Sequence, residues 1–329
     1  MKSSTQRKLI FLAALVLALY AGCSSPAPKA PKAVKTVAFI TNSTSDFWKI
    51  AGKGCAKADA ELADITVSFK TANEGTVDDQ NRLVRLALDR DEADAIAISP
   101  VDPTAQKNVI NAAAKRALVI TQDSDAPDSD RALYLGADNH AAGRQAGELV
   151  KKALPDGGKI MVFVGKKDAQ NAHERFDGLK EALQGSKVEI VDLMTDDADQ
   201  TIAGRNAFQA LKDHPDLAGM VGLWSYNGPA ILRTLRSVDK VGKVKVVCFD
   251  DDQYTLDGIK EGAIFGTVAQ QPYEYGYQAI QLAAKILRGD RSVIPGNKTI
   301  FIPTVVIQRD TVDDYRKKLD QLLGTASTG

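Results

Sequence analysis

Several residues able to bind or react sit just beyond apolar runs of this 329-residue chain. Asp123 follows the run ending at Gln122, Asp250 opens an Asp250-Asp251-Asp252 triplet after the run 244–249, and Gln270 follows Ala269. A carboxylate placed there accepts two hydrogen bonds at once, which suits neighbouring hydroxyls of a polyol. Asn171 and Arg175 are four residues apart, one helical turn, so an amide and a rigid five-donor guanidinium can face the same way. Phe47 and Trp48 stand beside the small hydroxyls Ser43, Thr44 and Ser45. They could wall a flat or ring-shaped ligand, or Phe47 could belong to a core stripe that Trp48 shields. Ser99 ends another apolar run, and Asp102 before Pro103 reads as a helix N-cap with proline at the first helical position. Ser124 follows Asp123 directly. Taken singly, each is also compatible with a plain turn or cap. Asp123 and Asp250 could in principle form a glycosidase pair across a cleft.

Other chemistry finds little support. The chain contains no Gly-x-Ser-x-Gly, no His-Glu-x-x-His and no phosphate-binding loop. Gly52-Lys-Gly54 falls inside an expected helix and lacks the third glycine of a dinucleotide fingerprint. His140, His173 and His214 have no partners at metal-ligand spacing, so neither a metal nor a cofactor is expected. With 42 basic and 42 acidic residues, the chain has no positive surplus to hold a phosphate backbone, and nucleic acid is not an expected partner.

These residues must be positioned by regular elements, and the composition supports a packed core: 44% hydrophobic and 26% charged residues are ordinary for globular proteins. The length suits two α/β domains. From Thr36 apolar strands alternate with helices of period 3.6, the signature of parallel βαβ units. The first strand is expected at 36–42, and the helix after it carries Phe47, Ile50, Ala51, Gly54, Ala58 and Leu62 on one face, with Asp46 as its N-cap. After Pro155-Asp-Gly-Gly158 the rhythm restarts, with further strands and helices up to a last strand at 300–307 and a final short amphipathic segment at 312–323. Two consecutive doubly wound domains whose strand ends face each other leave a crevice between them. Cys55 and Cys248 fall at apolar positions of regular elements, where buried thiols are favoured over a disulfide.

Ahead of this lies an expected export signal over residues 1–22, with Lys2, Arg7 and Lys8 before an apolar run from Leu9 to Tyr20 that is too short to span a bilayer. Leu19-Tyr20-Ala21-Gly22-Cys23 resembles the bacterial lipobox, which implies a lipid on Cys23. Residues 23–35, rich in Pro, Ala and Lys, read as an extended tether.

In chain order, Phe47-Trp48, Ile98-Ser-Pro-Val-Asp102, Asp123, Gly136-Ala-Asp-Asn139 with Gly143, Ala172-His-Glu-Arg-Phe-Asp-Gly178, His214-Pro-Asp216, Cys248-Phe-Asp250 and Gly266-Thr-Val-Ala-Gln-Gln-Pro272 carry a family likeness. From Thr36 to about Arg309 the chain resembles the periplasmic sugar-binding proteins of the ribose-binding type, solute receptors of bacterial ABC importers. The resemblance implies the type I periplasmic binding protein fold: two doubly wound parallel-sheet α/β lobes joined by a three-crossing hinge near Ala137, Gln270 and Ile302. Residues 36–138 and 271–298 would form the first lobe, and 139–270 and 299–324 the second.

It further implies that Phe47 and Trp48 stack on a sugar ring while Asp123, Arg175, Asp250 and Gln270 bond its hydroxyls. Asn227 would be the cleft asparagine of the family, although ungapped alignment sets Tyr226 there, and the choice between them stays open. Ser45, Ser99 and Asn171 are further candidates, as is Ser124. Ser45 and Ser99 stand where ribose binders have Asn, Ser124 replaces an Arg, and Ala198 replaces a cleft aromatic. The implied ligand is therefore another pentose, a hexose or a cyclic polyol. On this reading the chain is a monomeric receptor, exported to the periplasm or cell surface, touching the membrane only through its lipid and handing its ligand unchanged to an ABC permease. The alternatives are a sensory receptor for a sugar or an autoinducer-like furanose, signalling to a membrane kinase or chemoreceptor, and, remotely, a glycosidase-like enzyme.

Overall fold

A computed structural model describes residues 34–323; the expected export signal, Cys23 and the tether up to residue 33 lie outside the described residues. Lys35, expected as the last tether residue, is instead the first residue of strand β1 (Lys35–Ile40). Asp94 holds it there, accepting from Lys35 Nζ (3.1 Å) and from the Thr36 N–H (2.9 Å).

The first series continues with α1 (Asp46–Glu61), β2 (Ile65–Lys70), α2 (Val77–Asp89), β3 (Ala95–Ile98), α3 (Pro103–Ala114), β4 (Leu118–Gln122) and β5 (Leu133–Gly136). The second comprises α4 (Asn139–Ala153), β6 (Gly158–Val164), α5 (Gln170–Leu183), β7 (Val188–Thr195), α6 (Gln200–Asp213), β8 (Leu217–Gly222), α7 (Asn227–Ser237), β9 (Lys245–Phe249), α8 (Gln253–Glu261) and β10 (Gly266–Ala269). The chain then returns through α9 (Pro272–Leu287), β11 (Thr299–Phe301), β12 (Val305–Ile307) and α10 (Val312–Leu323). The strands form two six-stranded sheets, ordered β11-β5-β4-β3-β1-β2 and β12-β10-β9-β8-β6-β7. All neighbours are parallel except β10 and β12. Helices cover both faces of each sheet, so central strands such as β3 are buried on every side and read as continuous apolar runs.

The chain passes between the sheets after β5, after β10 and between β11 and β12. The last passage corrects two expectations. The single strand expected over 300–307 is two short strands in opposite sheets, broken at Ile302-Pro303-Thr304, because Pro303 has no N–H to continue a ladder. The first lobe accordingly extends through Phe301 rather than stopping at Lys298, since Thr299–Phe301 pairs with β5.

The helix starts follow local chemistry. Asp102 caps α3 as expected, its Oδ1 accepting from Thr104 and Ala105 N–H at 2.9 Å each. At α1 the N-cap is Ser45 rather than Asp46; Asp46 is the first helical residue and pairs with Lys49 (2.6 Å). That placement still sets a carboxylate against the positive end of the helix dipole. Two helix pairs approach closely through glycine: Gly143 of α4 against the Arg175 carbonyl and Gly178 of α5 against the His140 carbonyl, then Gly54 of α1 against Tyr273 and Gly276 of α9 against Ala51. Cys55 and Cys248 are free, buried members of the apolar clusters, where burial pushes both thiols well above their ordinary range.

Candidate functional site

The carboxyl ends of the strands of both sheets border one cavity, about 360 Å³ with its mouth included, lined from both lobes. Asp123 is the first residue after β4 and Asp250 the first after β9, and both take left-handed backbone conformations, φ 62° and 67°. Non-glycine residues rarely adopt that region and lose stability of order 1 kcal/mol by doing so. Tertiary bonds hold them there. The Asp123 N–H donates to Leu135 O (3.1 Å) and its carbonyl accepts from the Tyr134 hydroxyl (2.9 Å); the Asp250 N–H donates to Val268 O (2.9 Å) and its carbonyl accepts from Thr267 Oγ1 (2.8 Å).

Each carboxylate has a partner from its own surroundings. Asp123 Oδ2 accepts from Ser99 Oγ (2.7 Å) and Asn42 Nδ2 (3.4 Å), and Asp250 Oδ1 accepts from Gln270 Nε2 (2.8 Å). Tyr275 in turn donates to Gln270 Oε1 (3.1 Å), fixing the amide. Burial pushes Asp123 up to about 6, against the opposing pull of Arg175 and Ser99. Asp250 is raised for the same reason, with Arg175 and Gln270 opposing.

Arg175, 1% exposed on α5, is the cation that both acids feel. Its Nε donates to Asn139 Oδ1 (3.0 Å), its Nη1 donates to Leu223 O (2.8 Å), and its guanidinium lies 4.7 Å from the centre of the Phe249 ring. Its Nη2 is buried with no partner among the described residues, as are Asn171 Oδ1 one turn earlier and Trp224 Nε1. All three residues line the cavity. Buried polar atoms in native proteins are nearly always bonded, so three orphans around one cavity mark where a ligand's polar groups belong.

The walls are aromatic. Phe47 and Trp48 meet edge to face, ring centres 4.9 Å apart, and Phe39 and Tyr275 back them at 6.2 and 6.1 Å. They belong to the first lobe's core cluster and also line the cavity. Across from them Trp224 and Tyr226 pack edge to face at 6.4 Å.

Residues 37–291 match the periplasmic binding protein domain. The chain belongs to that family. Among its relatives, the ribose import binding protein RbsB of Salmonella typhimurium is 30% identical over 200 residues, covering 60% of this chain. The match spans 66% of that curated relative's length. The D-ribose/D-allose-binding protein of Pseudomonas aeruginosa is 25% identical over 307 residues, 88% of this chain and 93% of its own. A solved ABC transporter solute-binding protein from Burkholderia graminis, in complex with D-arabinose, superposes with a TM-score of 0.80 at 27% identity, covering 87% of this chain and 99% of that one.

Within this periplasmic binding protein, the structure brings Phe47, Trp48, Asp123, Arg175, Asp250 and Gln270 to one cavity, together with Ser45, Asn171 and Tyr226. Three expected residues stand elsewhere. Asn227 is not in the lining: its Nδ2 donates to Asp196 Oδ2 (2.9 Å) and its Oδ1 accepts from the Trp224 N–H (3.0 Å), so it braces the loop while Tyr226 takes the wall. Ser99 sits behind Asp123 as its donor, and the buried Ser124 hydroxyl has no partner among the described residues and is not in the cavity lining. Asn42, Ser43, Trp224 and Ser225 line it without having been expected. Trp224 and Ser225 lie just after β8, so the strand-end rule applied to 217–222 would have found them. Asp196, which holds both Tyr226 (2.5 Å) and Asn227, is raised to about 6 by burial. Among the described residues no cluster of His, Cys, Asp and Glu is arranged to hold a metal ion, and no helix is long and apolar enough to cross a membrane.

Proposed function

We propose that this chain captures one neutral monosaccharide or cyclic polyol between its lobes and delivers it, unchanged, to a membrane permease of the ABC type. The observation that carries the reading is the set of three orphaned polar atoms, Arg175 Nη2, Asn171 Oδ1 and Trp224 Nε1, bordering one cavity with two carboxylates. Each unmatched buried group costs roughly 1–3 kcal/mol. Hydroxyls donate and accept at once, so a polyhydroxylated ring answers both kinds of orphan, and its C–H faces suit the aromatic walls. Relatives named for ribose and allose, and a neighbour holding D-arabinose, support the same ligand class.

No reaction on the bound ring is proposed. Glycoside hydrolysis divides an acid and a base between two carboxyls, whereas Asp123 and Asp250 are matched in position, are both raised by burial, and share Arg175. Closure of the lobes over the ring would follow the hinge described by the three crossings. The reading includes a monomer and a lipid on Cys23; replacing Cys23 with Ser should move the protein from the membrane fraction to the soluble one.

The test is a thermal-shift screen of the full chain against pentoses, hexoses and inositols, repeated with Asp250→Asn. A sugar at 100 times its Kd adds about 2.7 kcal/mol of stability, and the variant should abolish the shift. Silence toward every sugar would overturn the reading. Co-purification with a membrane kinase in place of a permease would turn it from transport to sensing.

A further inference from the structure

The chain holds two tryptophans, Trp48 on the first lobe and Trp224 on the second, and both line the interlobe cavity. Their indole N–H groups are in opposite conditions. Trp48 Nε1 donates to Asn42 Oδ1 (3.0 Å) and Ser43 Oγ (3.1 Å) within its own lobe, which leaves only an apolar ring to offer. Trp224 Nε1 is buried and has no partner among the described residues.

Trp224 is also held firmly. Gly165, the first residue after β6, lies against its ring so closely that any Cβ would overlap Cζ3 and Cε3. Its backbone N–H is bonded to Asn227 and its ring abuts Tyr226. Asp196 binds both of those neighbours, one through each carboxylate oxygen, from a loop whose next residues Asp197 and Ala198 have φ of 53° and 65°. A rigid donor that is cut off from water and unpaired is unfavourable until an acceptor arrives. Ligand-free strain of this kind is what makes a site discriminate, because an analogue lacking the acceptor leaves the donor orphaned.

We propose that Trp224 is a specificity-determining residue of the second lobe, its Nε1–H donating to an oxygen of the bound sugar ring, with Asp196 as the positioning residue that holds Tyr226, Asn227 and through them Trp224. The inference rests on the sugar-capture reading. Trp48 and Trp224 then divide the labour: one presents an apolar face, the other an aromatic wall with a directed hydrogen bond.

The test is calorimetric titration of the full-length protein with D-ribose, D-arabinose, D-allose, D-galactose, D-xylose and myo-inositol, and with deoxy analogues of whichever binds. Trp224→Phe, which keeps a ring but removes the donor, should weaken binding about tenfold. Trp224→Ala should weaken it about a hundredfold. Trp224→Phe and Asp196→Asn should both lose selectivity for the parent sugar over one deoxy analogue, a change that mere loss of stability does not produce. In Trp48→Phe, where Trp224 is the sole tryptophan, saturating sugar should shift the emission. Binding to Trp224→Phe within twofold of wild type, with selectivity and emission unchanged, would overturn the inference and leave sugar capture standing. If no sugar binds the wild type, sugar capture itself fails and this inference falls with it.

Discussion

Asp123 and Asp250 occupy the same station in the two lobes: each is the first residue after a central strand, each has φ between 62° and 67°, each is locked by its N–H and its carbonyl to the neighbouring strand, and each feels the charge of Arg175. Two buried carboxylates served by one buried cation are held at a cost to the ligand-free fold, and the chemistry of capture follows from that.

Stability and affinity should respond to pH in opposite directions. Asp123 and Asp196 are raised to about 6 and Asp251 to about 7, each chiefly by burial, from unfolded values near 3.9. The folded chain therefore binds these protons more tightly than the unfolded chain. Their destabilisation is absent below about pH 4, grows as pH rises and is complete above about pH 7. Between pH 7.5 and 5 Asp123 alone should return on the order of 1 kcal/mol. Calorimetry of the ligand-free protein should give a higher Tm at pH 5 than at 7.5, and Asp123→Asn should reduce the difference while Asp196 and Asp251 retain the rest. Sugar affinity should fall over the same interval, because a protonated carboxyl accepts fewer hydrogen bonds. A Tm that drops toward pH 5 would refute the assignment.

Removing the cation should harm both fold and site. Arg175→Met leaves two buried acids uncompensated and should destabilise by about 3–5 kcal/mol. Arg175→Lys keeps a charge but cannot reach Asn139, Leu223 and a ligand together, as the guanidinium fork does. It should fold while binding sugar at least about fiftyfold more weakly, as titration of the two variants would show.

The α4–α5 contact should be intolerant of a single methyl group. A Cβ on Gly178 would run into the His140 carbonyl, backbone against helix, where nothing can rotate away. Gly178→Ala should cost about 2–3 kcal/mol and, by displacing the helix that carries Arg175, weaken sugar binding. Gly185→Ala, whose Cβ meets nothing within 4 Å despite φ of 72°, should lower the Tm less.

The two core thiols should be silent in the native state. In a Cys23→Ser chain, neither Cys55 nor Cys248 should react with a thiol reagent until denaturant is added, since both are buried and held protonated. Reaction of either at native Tm-plateau temperatures would show that its core opens locally.

Much of this was legible in the chain itself. Continuous apolar runs alternating with helical stripes dictate parallel sheets, because only strands covered on both faces can afford no polar side, and that in turn sends the ligand residues to strand ends, where Asp123, Asp250 and Gln270 stand. The i, i+4 pair Asn171 and Arg175 faces one cavity because a helix turn leaves it no alternative. Asp102 caps α3 through a rule that operates over three residues. These relations are local, so the local sequence carries them.

What only the tertiary structure decided depends on contacts between distant segments. The run 300–307 splits between two sheets, and strand propensity alone does not say which neighbour each half will find. Between Tyr226 and Asn227, which the sequence left open, Tyr226 lines the cavity while the asparagine amide is held by Asp196, some thirty residues earlier. Ser99 proves to be a donor to Asp123 across 24 residues rather than a wall of the site. Trp224 becomes a free donor because nothing among the described residues reaches Nε1, whereas Trp48, the same residue type, is satisfied by Asn42 and Ser43. A side chain's type fixes what it can bond; which of those bonds remain for a ligand is set by what the fold packs beside it.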